Sequence, residues 1–361
     1  MVRNGLFGIA LAALLSACSH VAYYAQAVSG QLEVSRSATP IAAVLADPAT
    51  DERVRQKLQL VQQARAFASQ ELGLPANGAF QSYANLHRPF VVWNVFAAPE
   101  FSVEPTRWCF PIAGCVAYRG YFSEAAAQEA GAALRAEGME VFVAGIPVYS
   151  TLGWFDDPVL NTFIAYPEAE LVGVLFHELA HQVVYLPGDS VFNESFATSV
   201  EDEGVRRWLA RANNPAAYAA YRQVHERKRA FMALLVRTRD HLAAVYALPA
   251  SEDRKSAKAR ALAQANEEYA ALKQSWGGYA GYDKWFSDTP LNNAKLASAT
   301  LYTDRVPAFS ALLAQTGGNL PRFYQEVAAL AQLPLAAREK SLAAAEGYRL
   351  AATPAMLTNA P

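Results

Sequence analysis

The sequence predicts an α+β protein that is mainly α-helical and carries a small mixed or antiparallel sheet. Three observations lead to that class. Of 361 residues, 53% are apolar and only 18% are charged, against roughly 25% charged in an average soluble domain. The chain therefore has the apolar content for a large core and lacks the composition of a disordered one. Strand-like runs rich in Val, Phe and Trp crowd into residues 76–155, whereas from about residue 157 onward apolar residues recur at helical spacing almost without interruption. The balance of 31 basic against 33 acidic side chains argues against a nucleic-acid binder, which carries a basic excess. Three cysteines are too few for a disulfide-dense scaffold, and no internal repeat is present.

The first 17 residues read as an export signal. Arg3 supplies a positive charge and Leu6 to Leu15 an apolar run, too short for the ~20 residues of a membrane-spanning helix. The run ends in Leu15-Ser16-Ala17-Cys18, which resembles the lipobox of bacterial lipoproteins, whose cysteine becomes the lipidated first residue. That resemblance implies a lipid anchor at Cys18 holding the protein to a membrane, a linker over residues 18–30, and a mature domain over 31–350. Ser19, where Asp would retain the protein at the inner membrane, implies the outer membrane, facing the periplasm. An exported chain meets an oxidising compartment. Cys109 and Cys115 are therefore expected to pair across Phe110–Gly114, two buried free thiols being the alternative.

Residues 31–75 read as helical and amphipathic, with Leu58, Leu60, Val61, Ala64 and Phe67 at helical spacing. Phe90–Phe96 reads as a strand, and Cys109–Phe122 has room for another. Ser123 is placed to cap an alanine-rich helix ending before Gly138. Glu140–Val143 and Val148–Leu152 read as further strands, joined through Gly145 and Pro147. The charged stretch 251–260 suits a solvated loop or a helix start, and residues 351–361 a loose tail.

The chemistry concentrates between His177 and Glu194. Residues 169–185, AELVGVLFHELAHQVVY, are apolar on most sides and free of proline, so a buried helix is expected, ended by Pro187 and Gly188. It contains His177-Glu178-Leu179-Ala180-His181. Side chains four apart on a helix share a face, so both imidazoles can reach one Zn²⁺, with Glu178 beside them to take a proton from water. A catalytic zinc wants a third protein ligand and an open position. Twelve residues beyond His181 lies Asn193-Glu194-Ser195-Phe196-Ala197. Asn193 is suited to capping a second helix, running to about Ala210, that would carry Glu194 back to the metal. Glu201 and Glu203 are competing carboxylates, and Glu201, on the same face as Glu194, suits an acceptor behind a ligand imidazole.

The HExxH pattern followed by NESFA resembles the zinc helices of gluzincin metallopeptidases, with a shorter connection. The resemblance implies His177, His181 and Glu194 as zinc ligands and Glu178 as general base. Over most of its length the chain is similar to a family of proteobacterial lipoproteins described as predicted aminopeptidases. The similarity rests on the lipobox, Tyr23-Tyr24-Ala25-Gln26, residues 149–158 (YSTLGWFDDP), the zinc motif and residues 291–296 (LNNAKL). By the same resemblance Tyr149, Ser150, Thr151, Leu152 and Gly153 are expected to form an edge strand lining a cleft for the peptide substrate, although Tyr149 and Trp154 could instead pack in the core. Tyr302 is expected to donate to the oxyanion, and Asn292 and Asn293 could cap a helix. Asp156 and Asp157 are possible acceptors for a substrate α-amine. His225 and His241 read as solvated helix residues and His87 as a loop residue. These features together point to a lipid-anchored zinc metallopeptidase, an aminopeptidase by the family label. An endopeptidase and a non-catalytic, zinc-stapled envelope protein that binds peptides are the alternatives.

Overall fold

The fold comes from a computed structural model, which describes residues 23–110, 114–249, 251–300 and 305–352. The signal segment, Cys18, Tyr302 and residues 353–361 of the expected tail lie outside the described residues. The protein is α+β and mainly helical. The chain enters as a helix, α1 (23–37), so the described part of the expected linker is helical. Gln26 of α1 bonds Gly120 O and Phe122 N.

Next come β1 (Ala38–Pro40), α2 (Ile41–Ala46) and α3 (Glu52–Glu71). Asp51 caps α3 by accepting from Arg53 N and Val54 N, and the periodic face read from the sequence is buried through Leu58, Val61, Ala64 and Phe67. Then follow β2 (Ser82–Ala84), β3 (Val92–Pro99), β4 (Trp108–Phe110), β5 (Gly114–Val116), β6 (Arg119–Tyr121), α4 (Glu124–Ala136), β7 (Met139–Ile146) and β8 (Val159–Leu160). Ser123 caps α4, accepting from Ala126 N.

Three small sheets result. β1-β2-β8 is mixed, β6-β3-β7 is antiparallel, and β4-β5 is a hairpin whose strands Cys109 and Cys115 join by a disulfide. In the central sheet the alternation of side chains divides β3 between two faces. Trp93, Val95 and Ala97 pack in one cluster with Ala127 of α4, while Val92, Asn94 and Phe96 line a cavity on the other side.

The two strands expected around Gly145 and Pro147 are one strand and one loop. β7 runs through Gly145, whereas Val148–Leu152 is irregular because Leu152 and Gly153 have φ of 57° and 83°, outside the extended region. Asp157 ties this loop instead, accepting from Thr151 N at 2.7 Å and Thr151 Oγ1 at 2.9 Å.

The helical remainder comprises α5 (Glu168–His181), α6 (Ser190–Arg211), α7 (Pro215–Tyr246), α8 (Glu252–Ser275), α9 (Lys284–Ser287), α10 (Asn293–Thr300), α11 (Val306–Gln315), α12 (Leu320–Ala331) and α13 (Leu335–Ala352). Ser251 caps α8, so the charged stretch after it is a helix start. Asn292 Oδ1 accepts from Lys295 N and caps α10. One large core joins α3, α5, α6, α11 and α12, and a second gathers α7, α8 and α10 around Phe231, Leu234 and Tyr269.

Candidate metal centre

α5 is buried through Leu171, Val172, Leu175, Phe176, Leu179 and Ala180, as its composition requires. It stops at His181, one turn before the expected Tyr185. The turn that follows is held by Asn193, which accepts from Leu186 N at 2.7 Å and donates to Leu186 O at 2.8 Å. Asn193 is therefore not the cap of α6. Asp189 is, accepting from Phe192 N, because the helix begins one turn earlier than the sequence suggested. The correction leaves Glu194 inside the helix and aimed back at α5.

The two imidazoles meet on one face of α5, with His177 Nε2 and His181 Nε2 3.2 Å apart. Glu194 Oε2 stands 3.2 Å from His177 Nε2, and its Oε1 3.7 Å from His181 Nε2. Donor atoms held about 2.0–2.1 Å from a tetrahedral zinc lie about 3.3–3.4 Å from one another, which is the spacing of this triangle. Two imidazoles and one carboxylate are also the donor chemistry that zinc takes in open sites.

Behind His177, Glu201 Oε2 lies 3.1 Å from Nδ1. It can reach there because residue 173 is glycine: a Cβ at Gly173 would sit 3.0 Å from Glu201 Oε1. The Tyr221 hydroxyl donates towards Glu201 and Asp202, and His225 Nδ1 lies 3.4 Å from Asp202. His225 is thus packed into the support behind His177, not solvated as its charged neighbours implied; His241 and His87 are exposed as expected. Glu203 is spent on Arg206 and Arg207. His181 Nδ1 is buried without a hydrogen-bond partner among the described residues.

The electrostatics follow from burial and neighbours. Burial works against a charge on His177, but bonds from Glu194 and Glu201 outweigh it and hold the imidazole well above its ordinary range. Burial and the His177 charge push His181 down to about 4. Burial would raise Glu201, yet the His177 bond and charge bring it to about 2. Glu178 goes the other way: burial, with Glu194 and Asp157 nearby, pushes its carboxyl up to about 7, against the opposing His177 charge and a Ser150 hydrogen bond.

His177, Glu178, His181 and Glu194 open onto a cavity of about 1230 Å³ between the sheet and the helices, with Glu201 behind them. Residues 22–342 match the family described as "Putative aminopeptidase". The chain belongs to this family. No curated protein and no solved structure matches it.

In this member of the family, the expected substrate stretch is divided. Tyr149, Ser150 and Leu152 line the cavity, whereas Thr151 is bound to Asp157 and Gly153 packs on Gln182. Tyr149 also packs edge-on against Phe122, and Trp154 is 72% exposed rather than in the core. β7, an edge strand of its sheet, borders the cavity together with β3. Asp157 is committed to Thr151 and Ser150, and Asp156 is exposed away from the cavity lining. Sequence reasoning missed Tyr118, Tyr185 and Lys295, which also line the cavity. Tyr185 carried a signal, being one helical turn past His181; Tyr118 carried none.

Proposed function

We propose that the protein is a zinc metallopeptidase that hydrolyses peptide bonds as an aminopeptidase. The observation that carries this reading is the convergence of His177, His181 and Glu194 on one point, with Glu178 beside it on the same cavity wall. A zinc ion held by those three side chains would supply Lewis acidity, polarising a carbonyl and lowering the pKa of water.

The chain's own groups do the rest. Glu178, poised near neutrality, takes a proton from the attacking water and delivers it to the departing amine. Glu201 orients His177. The Tyr118 hydroxyl, pushed up to about 12 by burial and the neighbouring Glu194, stays protonated at neutral pH and can donate to a developing oxyanion. Tyr118 and Tyr185 are candidates for the oxyanion-donor role among the described residues, which do not include Tyr302. The edge strand β7, whose Val141 O accepts from Asn292, takes the role expected of Val148–Leu152, pairing with an extended peptide backbone along residues 142–146. A purely structural zinc site would need neither a cavity nor a base.

The protein acts at the cell envelope, anchored through a lipid at Cys18 to the outer membrane and facing the periplasm. No helix among the described residues is long and apolar enough to cross a membrane.

The test is Glu178→Gln in the full chain, with metal content and hydrolysis of alanyl peptides measured on the same sample. Zinc at one equivalent with activity down at least ~100-fold is expected. Full activity in the variant, or no bound metal in the wild type, would refute the reading. Comparing free and N-acetylated peptides tests the aminopeptidase assignment, and radiolabelled palmitate incorporation that is lost in Cys18→Ala tests the anchor.

A further inference from the structure

The cavity has a second charged end. Lys295, in α10, is 2% exposed and lines the same cavity as the metal cluster. Lysine is almost never fully buried unless its charge is paired. The other buried lysine of this region obeys the rule: Lys258 pairs with Glu140 and bonds Glu100 O.

Among the described residues Lys295 has no such partner: its ammonium, with three hydrogens to donate, makes one hydrogen bond there, to Thr289 O at 2.9 Å. Beyond that it faces the rings of Phe142 and Trp285 at 5.1 and 5.3 Å. Asp288, exposed on the same rim, takes the Ser287 hydroxyl and lies outside ion-pair distance of Lys295. Burial pulls the lysine below its ordinary pKa, against the opposing effect of the Asp288 charge. An anion arriving through the cavity would complete this cation.

The distance from Lys295 to Tyr118, which lines the same cavity as the metal cluster, is bounded by aromatic steps. Lys295 lies 5.1 Å from the Phe142 ring, Phe142 6.4 Å from Phe96, and Phe96 5.7 Å from Tyr118, whose hydroxyl feels Glu194. Those steps place Lys295 at most roughly 17 Å from the Tyr118 ring, a span that an extended chain covers in about five residues.

Resting on the peptidase reading above, we propose that Lys295 receives a substrate carboxylate. The C-terminal carboxylate of a short peptide is the chemistry that fits, so the substrates are short oligopeptides. β7 would carry the backbone between the two ends.

The experiment uses the zinc-loaded full chain. Binding of Ala-Ala-Ala, Ala-Ala-Ala-amide and Ala-Ala-Glu-amide to the Glu178→Gln protein is measured by calorimetry, and the wild type is assayed on the same peptides. The free acid should bind about 10- to 100-fold more tightly than the plain amide, the range of one charge-assisted bond. Lys295→Met, in the Glu178→Gln background, should abolish that difference. Equal binding of acid and amide by the Lys295-containing protein overturns the proposal without any variant having to fold. If Ala-Ala-Glu-amide binds as well as the free acid, Lys295 is a carboxylate site but reads a side chain, and the C-terminal assignment falls. If all three peptides are hydrolysed with one KM, the carboxylate site fails while the peptidase reading stands. If none is hydrolysed but the acid preference and its loss in Lys295→Met are seen, the site stands and the peptidase reading fails.

Discussion

Glu201 touches the metal cluster only through His177, so its substitution separates support from ligation. Its carboxylate lies 3.1 Å from His177 Nδ1 and is held ionised, down to about 2, by the histidine's bond and charge. Glu201→Gln keeps the shape and an acceptor oxygen but removes the charge. A hydrogen bond to a charged group contributes about 1.5–3 kcal/mol, and losing the partner behind a ligand histidine costs about 10- to 100-fold in metal affinity; the two ranges overlap near 2 kcal/mol. The assay is zinc competition against a chromophoric chelator at neutral pH, with Glu203→Gln as the control on the same helix. A matched effect is expected from Gly173→Ala, which touches no ligand but would set a Cβ 3.0 Å from Glu201 Oε1 and displace the carboxylate. Zinc affinity in Glu201→Gln within twofold of wild type would refute the account of how His177 is oriented.

Three further outcomes are expected. Tyr118→Phe should lower kcat about 10- to 100-fold with little change in KM, since a donor to the oxyanion acts in the transition state; a change confined to KM would remove Tyr118 from that role. Gly204→Ala should destabilise the fold by about 1–3 kcal/mol in urea unfolding, because the new Cβ would lie 2.6 Å from Phe176 Cδ2 and 2.8 Å from Leu72 Cδ1. Glu203 supplies a pH dependence: burial would raise its carboxyl, but Arg206 and Arg207 hold it below its unfolded value of 4.5. Its contribution is therefore complete above about pH 4.5 and is lost as pH falls through the lower folded value. About 1 kcal/mol is expected, because Glu203 is largely buried but its partners Arg206 and Arg207 reach solvent, seen as a shallower acid limb of stability in Glu203→Gln.

The legible parts of this protein are those governed by neighbours along the chain. The α3 periodicity, the Ser123 cap and the single face shared by His177 and His181 all follow from the 3.6-residue repeat and from hydrogen bonding within one turn. Local errors came where two local rules compete. Asn193 is a good cap, yet Asp189 caps one turn earlier, which frees Asn193 to pin Leu186. Val148–Leu152 has strand composition, but the Leu152–Gly153 backbone turns into the left-handed region and Asp157 fastens the result.

By itself the sequence determined the class of the fold and the spacing of a two-histidine, one-glutamate motif, because a helix repeats whatever surrounds it. Only the tertiary structure decided which of Glu194, Glu201 and Glu203 faces the histidines, since all three sit on one helix and the packing of α6 across α5 chooses among them. It also decided that Tyr118 from the sheet and Lys295 from α10 share one cavity with Glu178. Those residues are far apart in the chain, and no periodicity carries information over such separations; the burial of apolar faces against one another does.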